Sequence, residues 1–531
     1  MNDTPLTLTL DIGTSSTRAL LWDTNGAEVE GVRAQTPYQM RTTPDGGVEM
    51  PAEEMLAHVG ECLDQALAQA GDRAQAIRAV GISTFWHSLL GLDAGGEPIT
   101  PIYSWADTRA ADAARALRER LDESAVHART GCVIHPSYYP AKLAWLQEAQ
   151  PELICRVARW VSPSEFLFAR FFGPDACRVS VSMASGTGLM NQEQGRWDGE
   201  TLAALGLPEE KLSPIVDLSA SSQGLQGEFA ARWPALRDVP FFPAVGDGAC
   251  SNVGSGCVSP ERFAINLGTS GAIRAIWEET QGRGKREAGS VGAQQVAPSA
   301  ASPLSRSVGE GSGVRVTSSP TPPGLWRYRV DARRPILGAA FSDGGSVYAW
   351  MKRTLRLPPD EELERRLAAM EPGAHGLSFL PFLSGERSLG WHPDARGALV
   401  GMNLDTHPVE MLRAAMEAVA MQFALAAERL RKRFPQAREI IASGGALGHS
   451  PAWTQMFADA LGQPVTLAAE AEASSRGAAL LAMEAAGLIE SVRTPEARLG
   501  TTFTPDESRH ARYAEMQARQ QRYYARLIEE P

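Results

Sequence analysis

Asp247 stands between Gly246 and Gly248, at the end of the apolar run FFPAV and ahead of the small residues ACSNVGSG. A carboxylate so placed can take the proton of an attacking hydroxyl, or it can be a plain turn residue. A second set of residues suits phosphate. The stretch DIGTSSTRALLWD begins at Asp11, and NLGTSGAIRAIWE begins at Asn266, 255 residues later. Compared without gaps, Gly13 meets Gly268, Thr14 meets Thr269, Ser15 meets Ser270 and Trp22 meets Trp277. Each stretch reads as a hairpin whose Gly/Thr/Ser turn exposes backbone N–H groups and hydroxyls, a nest for a phosphate. One copy alone reads as an ordinary turn. Two copies half a chain apart read as two similar domains, each presenting one loop to a shared nucleotide. A third set suits a polyhydroxylated chain. In GISTFWHSLLGLD, Trp86 offers an indole face to C–H bonds and His87 offers hydrogen bonds. The plain alternatives are a core aromatic and a buried, satisfied histidine.

These residues need elements to hold them. LTLTLDIG and ALLWD read as two strands around the first turn, and RFAINLGTSGAIRAIW repeats the pattern. A further buried-strand pattern lies in each half, IRAVGIST and REIIASGG. Helical spacing follows in PAEEMLAHVGECLDQALAQAG, in HPVEMLRAAMEAVAMQFALAAERLRKRF and in SPAWTQMFADALG. Pro51 and Gly71 bound the first of these, and Ser450 and Gly462 are the N-cap and C-terminal stop of the last. The small residues after Asp247 read as a helix packed tightly on a neighbour. Strands alternating with helices make an α/β protein.

The chain has 531 residues, too many for one core, so two domains are expected, 1–252 and 253–531. Residues from about 279 to 323 are rich in Gly, Ser, Ala and Pro and are expected to be a disordered surface insertion in the second half. The formal charge of −11, with Lys and Arg spread out, argues against nucleic acid or an anionic membrane as partner. No apolar run approaches membrane-spanning length, and the first residues lack a signal peptide's basic start and apolar core. Six cysteines without a C-x-x-C pair argue against zinc or a disulfide framework and for a cytoplasmic setting.

Taken together and in order, these motifs resemble the FGGY sugar kinases of the actin-like ATPase superfamily, nearly end to end apart from the insertion. The phosphate loops are DIGTSSTR and NLGTSGA, and the adenosine-side signature is SGGALGHSPAWTQMFADALGQPV followed by EAEASSRGAA. The resemblance implies two ribonuclease-H-like domains around a cleft that binds ATP and Mg²⁺. It places Gly13, Thr14, Ser15, Ser16 and Arg18 by the β- and γ-phosphates, with Gly268 and Thr269 as the second cradle. Gly344, Gly345 and Gly445 let the backbone approach the nucleotide, and His449 faces adenine or ribose unless it only caps HSPAW. Asp11 either caps its turn or, as favoured here, holds Mg²⁺ through water. Asp247, 19 residues before Asn266, becomes the catalytic base.

For the sugar, the resemblance implicates Trp86, His87, Trp105 and Asp107, with Arg109 bracing Asp107, and Tyr139 or its neighbour Tyr138. Lys142 is expected to be structural. Arg387, Asp394 and Arg396 either reach substrate or form internal salt bridges. STFWHSLLGLD, SWADTR, RRPILGAAFSDGG and SGERSLGWHPDARG look most like gluconate kinases. Glycerol kinases carry an Arg-Glu pair where Trp86-His87 stands, so glycerol is disfavoured, and D-xylulose or another ketopentose is the alternative. A nucleotide switch without kinase activity is the remote one. The implied partners are a sugar or sugar acid and ATP, with a homodimer left open. A gluconate site also needs a group for the carboxylate, and the sequence does not identify it.

Overall fold

The computed structural model describes residues 4–279 and 321–530. The insertion expected at about 279–323 therefore falls almost wholly outside the described residues. The first half is built on strands β1 (Leu6–Ile12), β2 (Ser16–Asp23) and β3 (Glu28–Pro37), helix α1 (Ala52–Ala70), strands β4 (Ile77–Thr84) and β5 (Val245–Gly246), and helix α2 (Asp247–Gly254). The second half brings β6 (Arg262–Leu267), β7 (Gly271–Ile276), β8 (Trp326–Arg329), β9 (Pro335–Phe341), α3 (Gly345–Thr354), α4 (Pro408–Arg433), β10 (Glu439–Ser443), α5 (Pro451–Leu461), β11 (Val465–Ala468), α6 (Ala473–Ala485) and β12 (Leu499–Phe503).

The strands form two main sheets, ordered β5-β4-β1-β2-β3 and β8-β9-β7-β6-β10-β11-β12. Five strands of each match in order and sense. In the first sheet β1 runs antiparallel to β2 and parallel to β4, β2 antiparallel to β3, and β4 parallel to β5. In the second β6 runs antiparallel to β7 and parallel to β10, β7 antiparallel to β9, and β10 parallel to β11. The sequence repeat is thus a repeat of sheet architecture. Its gapless offset holds only on the first strand of each hairpin. Ile12 pairs with Thr17, whereas Leu267 pairs with Gly271, so the second loop is one residue shorter. Trp22 and Trp277 are consequently not equivalent: Trp22 lies buried within β2, and Trp277 lies beyond the end of β7.

The helices begin and end where the local chemistry dictates. Ser450 Oγ accepts the Trp453 N–H, 3.1 Å away, at the start of α5, and Gly462 closes it in the left-handed region. The central strand β1 is buried along its whole length. Its polar Thr9 is satisfied there by Leu20 O, Trp22 Nε1 and Ser475 Oγ. Ser475 belongs to α6, a helix late in the sequence that nevertheless packs on β1, β4 and α2 of the first half. The α2–α6 crossing is backbone against backbone. A Cβ on Gly254 would lie 1.8 Å from Ala473 O, and one on Gly477 would lie 1.9 Å from Cys250 O. β8 makes the reverse exchange. This edge strand of the second sheet docks into the first half, with Arg327 N donating to Gly131 O (2.9 Å) and Arg329 N to Ser185 Oγ (2.9 Å).

Candidate functional site

Asp247 follows β5, whose two residues pair with Ser83 and Thr84 at the end of β4. Both strands run parallel, so Asp247 and the Trp86–His87 segment emerge at the same end of the sheet. Trp86 fits there because Gly246 and Gly186 lack side chains: their Cβ atoms would lie 1.9 Å and 2.6 Å from the indole. The Trp86 Nε1–H donates to Ser182 O at 3.0 Å, which leaves the ring to make contact. Trp86 is thus buried in the core and also lines a cavity.

That cavity, of about 190 Å³, lies between the halves. Thr14 of the first loop and Ser270 and Gly271 of the second bound it, with Asp247, Trp86, His87 and Trp105. Burial raises the Asp247 carboxyl above the usual carboxylate range, while Arg274 and Arg387 pull it back. Oδ1 of Asp247 accepts the Gly248 N–H at 2.7 Å.

His87 adopts a left-handed backbone, φ 64°, rare for a residue with a side chain. Its Nδ1 lies against Gly186 O. A carbonyl only accepts, so Nδ1 carries the hydrogen and Nε2 is left as an acceptor. Burial and the nearby charges of Arg387 and Lys142 hold the ring far below its ordinary pKa, hence neutral. Lys142, fully buried, donates to His87 O at 2.7 Å and to Ser137 O at 2.8 Å, fastening the turned peptide.

A second cavity, of about 470 Å³, lies on the other side of the second hairpin loop. Gly268, Thr269, Gly345, Gly445 and His449 line it together with Tyr348 and Trp453. Gly345 N donates to Gly268 O at 2.8 Å, and Gly344 and Ser346 both donate to Thr269 O at 3.0 Å, so the start of α3 braces the loop. Gly344 itself serves that packing: a Cβ there would meet Leu267 and Ser270. His449 Nδ1 lies 2.6 Å from Gly445 O.

Some expected residues stand apart from the central cavity. Asp107 is buried in an ion pair with Arg109, Nη2 to Oδ2 2.5 Å, and Arg109 also holds Glu49 at 2.6 Å. The bracing partnership expected for Arg109 is present, and Asp107 is absent from the cavity wall. Tyr139 spends its hydroxyl on Ser88 O at 2.7 Å, and Tyr138 spends its own on the Tyr328 hydroxyl at 2.5 Å. Arg18 lies 3.7 Å from Asp11 and 3.8 Å from Glu472, outside both cavities. Ser15 is exposed on the first loop and Ser16 begins β2, while Gly13 N closes the turn on Ser16 O at 2.9 Å. Asp394 pairs with Arg115 at 3.6 Å, and Arg396 caps local carbonyls.

Asp11 sits at the end of β1, nearly buried, and burial raises its carboxyl to about 6, with Asp247 and Glu472 adding to the rise and Ser83 and Arg18 opposing it. Among the described residues no cluster of three or more His, Cys, Asp or Glu side chains could cage a metal. Asp11, beside the Ser83 hydroxyl and with Asp247 and Glu472 near, fits a cation that keeps most of its waters, as Mg²⁺ does.

Sequence reasoning missed Arg274, Trp326 and Tyr328, which also line the central cavity. Arg274 had a signal: a charged residue in the otherwise apolar GAIRAI of β7 must face something polar. Trp326 and Tyr328 had none, because nothing in WRYR tells which half it enters.

Comparison with known proteins supplies a frame for this arrangement. Residues 6–254 match the N-terminal domain, and residues 307–486 the C-terminal domain, of the FGGY family of carbohydrate kinases. A gluconokinase of Bacillus subtilis (strain 168) is 27% identical over 519 residues, covering 95% of this chain and 93% of that protein. A glycerol kinase of Aromatoleum aromaticum (strain DSM 19018 / LMG 30748 / EbN1) is 30% identical over 481 residues, 90% of this chain and 89% of that one. Among solved structures, a gluconate kinase from Lactobacillus acidophilus superposes with a TM-score of 0.83 at 25% identity, over 99% of both chains. A ligand-bound xylulose kinase from the same organism gives 0.83 at 26% identity, again over 99% of both.

Proposed function

Since the chain belongs to the FGGY family of carbohydrate kinases, with the family's two-domain α/β fold, we propose that it transfers the γ-phosphate of ATP to the terminal hydroxyl of D-gluconate, giving 6-phosphogluconate and ADP. One observation carries this reading: the second hairpin loop is the common wall of two cavities, Gly268 and Thr269 on one side, Ser270 and Gly271 on the other. A nucleotide seated beside His449 directs its phosphates along that loop toward a hydroxyl next to Asp247. Thr14 approaches the same point from the first half.

Asp247 accepts the hydroxyl proton as the oxygen attacks phosphorus in line. Its raised pKa suits a group that must be ionised before the step and protonated after it. Trp86 and Trp105 cover the sugar's C–H surface, and His87 Nε2 accepts from a hydroxyl. Closure of the halves keeps water from the phosphate. Asp11, through water, is the residue that would hold Mg²⁺, whose contribution is to neutralise charge on the phosphates. A cytoplasmic setting agrees with six free cysteines, five of them buried.

The likeness to gluconokinases supports the aldonate as acceptor. The equal TM-score of a xylulose kinase supports a ketopentose as second reading. ADP release with Mg·ATP against D-gluconate, D-xylulose, L-ribulose, glycerol and no sugar separates them. Turnover is expected to be highest on gluconate; highest turnover on a ketopentose replaces the substrate, and no stimulation by any of these compounds points to a polyol outside the panel or to a nucleotide switch. Asp247→Asn is expected to lower turnover about 10²- to 10⁴-fold while ATP still binds.

A further inference from the structure

Two guanidinium groups line the central cavity, and Asp247 is the only acid in its wall among the described residues. Arg274 reaches it from β7 through room left by two glycines. A Cβ on Gly248 would lie 2.8 Å from its Nη2, and one on Gly338, its partner across the ladder, 3.0 Å from its Cγ. Its Nε is buried with no hydrogen-bond partner. Arg387 enters from the facing segment, its guanidinium 4.8 Å from the centre of the Trp105 ring and its Nε likewise without a partner. Burial lowers Arg274 to about 10, with Arg387 adding to the fall and Asp247 opposing it. A small cavity holding two cations and one carboxylate is short of an anion. A neutral polyol cannot supply one. A carboxylate can, and it matches the two parallel N–H donors of a guanidinium.

We propose that the guanidinium of Arg274, seconded by that of Arg387, binds the carboxylate of a sugar-acid substrate in the central cavity and thereby selects aldonates over neutral polyols. The inference rests on reading that cavity as the acceptor site. The competing source of negative charge is the γ-phosphate of ATP, so the test omits nucleotide first.

Calorimetric titration of the nucleotide-free protein compares D-gluconate with D-glucitol, which carries CH₂OH in place of the carboxylate. The native protein is expected to favour gluconate by on the order of 10- to 100-fold. Arg274→Met is expected to lose that preference while still binding glucitol, and Arg274→Lys to keep part of it, since the charge stays and the fork goes. A native preference that survives in Arg274→Met overturns the assignment and leaves the gluconate reading standing. No native preference removes the gluconate reading and this assignment together. If Arg274→Met binds both compounds like the native protein but loses turnover on every sugar, the cation serves the phosphate and the assignment is overturned. Should Arg274→Met fail to fold, Arg274→Gln, which also removes the charge, carries the same comparison with the same outcomes.

Discussion

His87 illustrates how one side chain is aimed by another. A left-handed backbone costs a residue with a Cβ about 1 kcal/mol, and the Lys142 ammonium holding its carbonyl offsets that cost. Burial lowers Lys142 to about 7, Arg387 lowers it further and Asp107 opposes both. Unfolded, the amine keeps its proton up to about pH 10.4. Below pH 7 both states are protonated and the burial penalty stands in full. Above pH 7 the folded state releases the proton first, so stability rises with pH. Compared with Lys142→Met, the native protein should gain about 2 kcal/mol between pH 7 and pH 9, read from denaturant melts at each pH. A constant difference across that range would show that Lys142 does not titrate there. At this scale the sequence was informative about identity and weak on orientation. Asp247, Trp86 and His87 stood out beside glycines and a strand end and line the central cavity, whereas Asp107 and Tyr139 looked equally suited to a sugar and lie outside its wall, bonded to Arg109 and Ser88.

The elements were more legible. Both hairpins, both parallel partner strands and helices α1, α4 and α5 follow from alternation, helical spacing and end signals. Their partners across space were not. Nothing local tells that α6 crosses back to α2, although the small residues of ASSRGAA and ACSNVG permit it. The crossing sets the direction of α2, and Asp247 is the first residue of that helix. Gly477→Ala forces a Cβ onto Cys250 O and must prise the two helices apart. The expected loss is about 2 kcal/mol or more of stability, with a fall in kcat larger than any rise in KM for ATP. Unchanged melting and unchanged kcat would mean that the crossing has slack.

For the molecule as a whole, β8 is the tie between halves. It belongs to the second sheet, yet Trp326 and Tyr328 share a core with Trp86 and complete the central cavity's wall. The Tyr138–Tyr328 hydroxyl pair spans that junction in full burial. Tyr328→Phe alone leaves the Tyr138 hydroxyl with only the weakly bonding Cys132 thiol and should cost about 1–2 kcal/mol and weaken sugar binding more than ATP binding. Tyr138→Phe with Tyr328→Phe removes both partners and should recover most of the loss. If the double variant melts as low as the sum of the singles, the hydroxyls act independently and do not form the tie. Two-domain organisation was readable from length and from the repeat. The exchange of β8 and α6 between halves was not, because it depends on contacts hundreds of residues apart.

The two hairpins match in position and differ in charge. Asp11 faces Arg18 across the first, while at the corresponding rung of the second Asn266 faces Ala272. The unequal rungs make the duplication lopsided: an ion pair ties the first hairpin at the level where the second carries only an amide and a methyl group, so the two loops offer unlike electrostatic surroundings on the same backbone plan.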